Sequence, residues 1–168
     1  MSKFEKISFG QYIDDVKNNP IWNNSVQSDY DDIILPKRAT VDSAGYDIFA
    51  PFDITLKPGE YTKFPLGIKW VCEEKDINKV LMIVPRSGLG FKFGVRLVNT
   101  VGIIDSFYCK SDNEGHIWAK LTADKEVTVQ RGKAILQGII LSYDKTDDDN
   151  STEKRNGGFG STDKKENR

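Results

Sequence analysis

The chain has 168 residues, enough for one domain with a full hydrophobic core and too few for two comfortable ones. Hydrophobic residues make up 38% and charged residues 29%, which is ordinary for a soluble globular protein. The formal net charge of -1 argues against a general polyanion binder and leaves room for a local cationic site.

In chain order, the opening Met1 to Lys6 lacks the apolar stretch of a signal peptide, and no later apolar run approaches the ~20 residues that span a bilayer. The expected compartment is the cytoplasm, with no membrane and no nucleic-acid partner. Ser8 and Gln11 have the spacing of a capping box, followed by Phe9, Tyr12, Ile13 and Val16 at helical intervals. Asn18-Asn19-Pro20 predicts the stop of that helix, and a polar linker is expected up to about Asp32. From Ile33 the pattern changes to short β runs separated by Pro and Gly turns. Strands are expected at 33–35, 46–49, 53–56, 61–64, 67–71, 80–84, 95–98, 117–123, 127–129 and 134–141. Lys57-Pro58-Gly59-Glu60 is the clearest turn, with Pro and Gly placed for type II geometry. Many short strands with little helix between them predict an antiparallel sandwich or barrel. After Ser142 the chain is nearly all polar and then glycine-rich, so residues 144–168 are expected to form a mobile C-terminal arm. Within it stands one aromatic framed by three glycines, Gly157-Gly158-Phe159-Gly160.

A single histidine, His116, leaves little for His-based triads or His-rich metal sites. Cys72 and Cys109 have no nearby His or Cys to complete a metal set and read as reduced thiols. No Walker A sequence is present, and Gly88, Gly90 and Gly94 do not fit a dinucleotide fingerprint. Four segments remain that join polar groups to glycines: Ala44 to Asp47, Pro85 to Gly88, Val101 to Tyr108, and Arg155 to Thr162. Singly, each has a structural explanation: Arg86 pairing with Asp47, Ser87 capping a turn, Asp105 holding a hairpin. Together they suit a phosphate ester. Arg and Ser donate to phosphate oxygens, glycines let backbone N–H groups approach, a carboxylate activates water, and an aromatic covers a base.

These segments resemble the ordered motif set of the trimeric dUTPase family, of the bacterial and phage type. The motifs are Ala44-Gly45-Tyr46-Asp47, then Pro85-Arg86-Ser87-Gly88, then Gly102-Ile103-Ile104-Asp105 with Tyr108. Gly132 to Gln137 and Gly157 to Thr162 follow, and the likeness covers about residues 33 to 162. The resemblance implies an all-β fold, an antiparallel jelly-roll-like barrel over 33–143 with a short N-terminal helix and the C-terminal arm. It implies a homotrimer whose active sites draw residues from all three chains. Asp105 would be the general base for water attack on the α-phosphorus of dUTP, and Tyr108 would exclude a 2′-hydroxyl. The hairpin from Asn99 to Tyr108, with Gly102 and Ile104, would read uracil through its backbone. Ser87, Gly88 and Gln137 would hold phosphates, and Arg86 would be a partner of Asp47 across an interface or a substrate ligand. Phe159 and Gly160 would cover the base, while Arg155, Ser161 and Thr162 would reach the β- and γ-phosphates. Mg2+ would ride on the triphosphate and waters with no direct protein ligand.

The chain departs from the pattern in three places. Lys133-Ala134 stands where the family often has Asp-Arg, Lys154 neighbours Arg155 in the arm, and the loop from Cys109 to His116 is longer than usual. His116 is expected to be structural. Two other readings belong beside the first: a dCTP deaminase-type member using Glu114, and a regulatory binding protein contacting a partner through the apolar face of the N-terminal helix.

Overall fold

The computed structural model describes residues 2–17 and 26–152. Among the described residues the chain folds into short strands joined by turns, every strand pair antiparallel, with three short α-helices. The expected β architecture is therefore found, as four small sheets rather than one continuous one. Strand β6 (Lys79–Pro85) is the centre of the largest sheet, whose order is β2 (Tyr46–Phe49), β11 (Ala134–Ser142), β6 and β8 (Gly102–Asp105). A second sheet has the order β4 (Thr62–Pro65), β9 (Trp118–Thr122), β7 (Arg96–Leu97). Two pairs complete the set: β3 (Ile54–Leu56) with β10 (Val127–Val129), and β1 (Lys3–Lys6) with β5 (Ile68–Val71).

Alternation places the core. In β6 Leu81 and Ile83 point inward, in β5 Ile68 and Trp70, in β3 Ile54 and Leu56. In β11 the alternation breaks, because a register shift between Ala134 and Leu136 lets Ile135 and Leu136 both be buried. Gly59, at φ +76, closes the turn expected at Lys57–Glu60 with Glu60 N donating to Lys57 O at 3.2 Å. Cys72 and Cys109 are both free thiols, and burial pushes the Cys72 thiol up to about 12.

The N-terminal expectations are partly corrected. Helix α1 (Phe9–Val16) begins where the capping residues put it, with Ser8 Oγ accepting from Gln11 N at 3.2 Å. Lys3–Lys6 adds a strand that alternation over four residues was too short to reveal. Part of the expected polar linker is a helix, α2 (Val26–Asp31), because Val26 and Tyr30 pack on the core and outweigh its polar composition. The strand expected at 33–35 is absent. Asp32 N and Ile33 N donate back to Ser28 O and Tyr30 O, so that backbone completes α2, and only Lys37 bridges to Asp47. The helix stop at Asn18-Asn19-Pro20 lies outside the described residues.

The apolar face of α1 is buried on its own chain: Tyr12 and Val16 are fully buried, and Tyr12 lies against Tyr30 and His116. Two polar clasps hold it. Glu114 accepts from Ser8 N at 2.9 Å and Ser8 Oγ at 2.5 Å and pairs with Lys69 at 3.2 Å. His116, fully buried, accepts from Gly67 N on Nε2 at 2.9 Å and meets Asp15 through Nδ1 at 2.5 Å. An accepting Nε2 puts the ring proton on Nδ1, pointing at the Asp15 carboxylate. His116 is thus structural, as expected.

Burial alone would raise the Asp15 carboxyl, but hydrogen bonds from His116 and Gln11 outweigh it and hold it below the ordinary 3.8. The Ser8 hydroxyl, against some burial, and Lys69 hold Glu114 below the ordinary 4.5. Lowered carboxylate values mean stability that is complete above the ordinary values and lost as pH falls through the lowered ones. Hydrogen-exchange protection of the α1 amides is therefore expected to start falling as pH drops below about 5 and to go on falling below the ordinary carboxylate values. In an Asp15→Asn, Glu114→Gln double variant protection should already be reduced at neutral pH and the acid fall flattened. An undiminished acid fall in that variant would show the clasps to be unimportant.

Candidate active site

The residues singled out from sequence collect at the two ends of β6. At its C-terminal end, Pro85 leads into Arg86 and helix α3 (Ser87–Phe93), which ends at Gly94 with φ +67. The strand-end glycine segment expected here is thus the first turn of a helix. Arg86 lies beside Asp47 within one chain, Nε to Oδ1 3.5 Å, the pairing that these residues taken singly suggested. Gln137 pairs in register with Val84 on one side and Asp47 on the other, so three motifs distant in sequence meet here. A Cβ on Gly45 would lie 2.5 Å from Gln137 Cγ, so the first motif's glycine makes space for the fourth motif's side chain. Gly88 has nothing within 4 Å of where its Cβ would stand, and its backbone is open to approach. A cavity of about 340 Å³ lies against Arg86, Ser87, Gly90 and Phe91.

The other end of the site is built on β8. This strand is the edge of its sheet, bonded to β6 on one side only. Before it, β7 and β8 belong to different sheets, so the expected hairpin is a sharp corner. Thr100 takes φ +67, Thr100 N donates to Leu97 O at 3.0 Å, and Asn99 Nδ2 donates to Val101 O at 3.1 Å. Asn99, Gly102 and Ile104 line a second cavity, of about 350 Å³, with an apolar floor that includes Ile83 and Leu97. Gly102 lets β8 come close, since a Cβ there would stand 3.2 Å from Ile83 Cβ.

Asp105 ends β8, exposed and opposite Val80. Tyr108 opens the following turn, its hydroxyl accepting from Asn113 Nδ2 at 2.9 Å and donating to His116 O at 3.4 Å. The long loop from Cys109 to His116 is what holds Tyr108. It closes only with glycine at 115, where φ is +74 and a Cβ would lie 2.5 Å from Cys109 Cα.

The same cavity has a wall that the motif reading missed. Lys63 stands over the Trp118 ring at 4.8 Å and Lys120 over Tyr61 at 5.2 Å, with Lys63 and Lys120 directly opposed across β4 and β9. The available signal was the alternation Trp118-Ala119-Lys120-Leu121, which puts Trp118 and Lys120 on one face.

The two halves do not converge on one chain. Asp105 faces Val80, and Arg86, in extended backbone just past the end of the same strand, lies six residues further along (86 − 80). At ~3.3 Å per residue that is about 20 Å. Arg155, Phe159, Gly160, Ser161 and Thr162 lie outside the described residues. Among the described residues no three His, Cys, Asp or Glu side chains converge to hold a metal, and no helix is long and apolar enough to cross a membrane.

The chain was compared with known proteins. The family model described as dUTPase matches residues 31–163. The deoxyuridine 5′-triphosphate nucleotidohydrolase of Lactococcus lactis is 39% identical over 135 residues, covering 77% of this chain and 88% of that protein. The corresponding protein of Aeromonas hydrophila is 38% identical over 135 residues, covering 76% and 86%. Among solved structures, dUTPase from Streptococcus mutans aligns with TM-score 0.62 and 28% identity over 86% of this chain and 98% of that one. The dUTPase of the Staphylococcus aureus phage phi11 shares the fold at TM-score 0.61 with 15% identity, over 92% and 97%. A family match over most of the length, with relatives 39% and 38% identical over most of theirs, has one reading: this chain belongs to the dUTPase family.

Proposed function

We propose that this protein hydrolyses dUTP to dUMP and pyrophosphate, limiting dUTP and supplying dUMP for thymidylate synthesis, as a homotrimer with shared sites. The observation that carries the reading is the separation of the two site halves along β6. One chain offers a base-sized cavity lined by Asn99, Gly102 and Ile104, and holds Asp105 about 20 Å from Arg86, which with Ser87 and Gln137 forms a cluster suited to phosphates. A second copy that brings its phosphate cluster to the first copy's Asp105 resolves the distance, and rotational symmetry then makes every such interface alike. Residues 33–143 are assigned to a jelly-roll-like barrel and 144–168 to an arm that reaches a neighbouring site. Residues 1–32 are assigned to an N-terminal helix and linker.

Uracil is assigned to the cavity lined by Asn99, Gly102 and Ile104. The outer edge of β8 has backbone N–H and C=O groups outside the ladder, and these distinguish uracil from cytosine because the wrong edge would leave them unpaired. Tyr108, braced by Asn113, blocks a ribose 2′-hydroxyl. Asp105 takes a proton from a water whose oxygen bonds to the α-phosphorus. The bond from that phosphorus to the bridging oxygen breaks, and pyrophosphate leaves with the electron pair. Ser87, Gly88 and Gln137 align the triphosphate for this in-line displacement, with Arg86 held by Asp47 behind them. Phe159 and Gly160 of the arm cover the base, and Arg155, Ser161 and Thr162 reach the outer phosphates.

Mg2+ suits this donor set as a passenger on the phosphate oxygens and waters, where it neutralises charge on the triphosphate. The phage phi11 relative has a structure described as revealing coordination of a structural Mg(II) ion, a statement about that protein. The cytoplasm is the assigned location.

The deaminase-type reading requires a glutamate as acid/base. Glu114, the one nearby, is engaged with Ser8 and Lys69 and clasps α1. A regulatory partner at α1 would meet its outer residues, Gly10 and Asp14, since Tyr12 and Val16 are covered.

Pyrophosphate release with Mg2+ is expected from dUTP and not from dCTP, dTTP or UTP. Asp105→Asn should lower kcat about 10²–10⁴-fold. Ammonia release from dCTP would move the protein to the deaminase branch, and no turnover of any nucleotide would remove the enzyme reading. The shared site has its own test. Asp105→Asn and Ser87→Ala chains, each impaired alone, should regain about a quarter of parent activity when unfolded together and refolded as mixed trimers. Activity that stays at the level of the separate variants would place both groups' work within one chain.

A further inference from the structure

Ser106 follows Asp105 directly and is 4% exposed. Carbonyl oxygens converge on its hydroxyl, those of Asp76 at 3.0 Å, Ile77 at 3.3 Å and Lys79. All belong to the loop that leads into β6, so Asp105 is gripped twice by neighbouring residues. Its backbone is opposite Val80 in the ladder, and the next side chain is caged by residues 76–79. The loop is stiffened by the ion pair of Lys79 Nζ with Asp76 at 2.6 Å.

The same loop holds another residue. Tyr143, immediately after β11, donates its backbone N–H to Asn78 O at 3.0 Å and its hydroxyl to Ile77 O at 3.1 Å. The Ile77 carbonyl thus accepts from the Tyr143 hydroxyl and lies within hydrogen-bond reach of the Ser106 hydroxyl. One side of this loop is joined to the exposed carboxylate of Asp105, the other to the root of the C-terminal segment.

We infer that Ser106 is a positioning residue for Asp105, and that Tyr143 ties the root of the C-terminal segment to the same loop, so that both are set by one reference point. This rests on the reading of Asp105 as the general base of dUTP hydrolysis. A base displaced by a fraction of an ångström loses its alignment with the attacking water while substrate binding is little changed, which separates kcat from KM.

The test uses the full chain with dUTP and Mg2+, and compares Ser106→Ala, Ser106→Thr, Tyr143→Phe and the Ser106→Ala, Tyr143→Phe double variant. Ser106→Ala is expected to lower kcat about tenfold or more with KM within about twofold. Ser106→Thr, which keeps the hydroxyl, should recover most of that loss. Tyr143 is 42% exposed, so Tyr143→Phe folds; it should raise KM by about threefold as the segment loses its post. The double variant should lose less kcat/KM than the product of the single losses, because both act through the Ile77 carbonyl. Parent kcat in Ser106→Ala, no recovery in Ser106→Thr, or strictly multiplicative losses would each overturn the inference. Should Ser106→Ala fail to fold, an unchanged KM in Tyr143→Phe or a crippled Ser106→Thr does so instead. Turnover by the parent that vanishes in Asp105→Asn but survives in Ser106→Ala separates failure of this inference from failure of the activity itself.

Discussion

Strand β6 is hydrogen-bonded to β11 along its whole length and to β8 from Val80 to Ile83. A strand paired on both sides cannot slip by one residue without turning Leu81 and Ile83 out of the core, so its register is rigidly specified. The candidate site inherits that rigidity. Gln137 and Asp47 are placed by β11 and β2 relative to Val84, Asp105 by β8 relative to Val80, and Arg86 by where β6 ends. The separation of Asp105 from Arg86, Ser87 and Gln137 is a consequence of strand geometry.

Around that frame the loops are set by a few close contacts. Gly45 leaves the space that Gln137 occupies, and Gly115 lets the loop after Tyr108 close on Cys109. The N-terminal segment acts on the same loop from outside, because Glu114 and His116 hold α1 while Asn113 and the His116 carbonyl hold Tyr108. Two tasks, retaining a helix and orienting a tyrosine, are thus performed by adjacent residues of one loop.

Much of the fold was legible because short runs rich in β-branched and aromatic residues are bounded by Pro, Gly and polar turns. Tyr46–Phe49 and Val127–Val129 fall where they were expected, and β6 and β11 differ only at their ends. Lys3–Lys6 and Val26–Asp31 were not legible, since neither carries a strong local signal. One exists through its pairing with Ile68–Val71, the other through Val26 and Tyr30 packing on the core. Ile33–Leu35 had strand composition, yet its backbone groups were claimed by the end of α2. The motif residues were legible as chemistry, while the wall of Lys63 and Trp118 was not, because alternation puts Trp118 and Lys120 on one face of β9 but only sheet pairing brings Lys63 of β4 beside them.

Residue types and their order along the chain determined the class of fold, the helix cap at Ser8, the turn at Gly59 and the family. These depend on local propensity and on motifs that are contiguous. Tertiary structure decided that Arg86 meets Asp47 within one chain, that His116 and Glu114 clasp a helix, and that Ser106 is caged beside Asp105. It also decided that Asp105 stands far from Ser87. Each of these rests on contacts between segments distant in sequence, whose meeting is governed by strand register and core packing, and neither is written in any short stretch of residues.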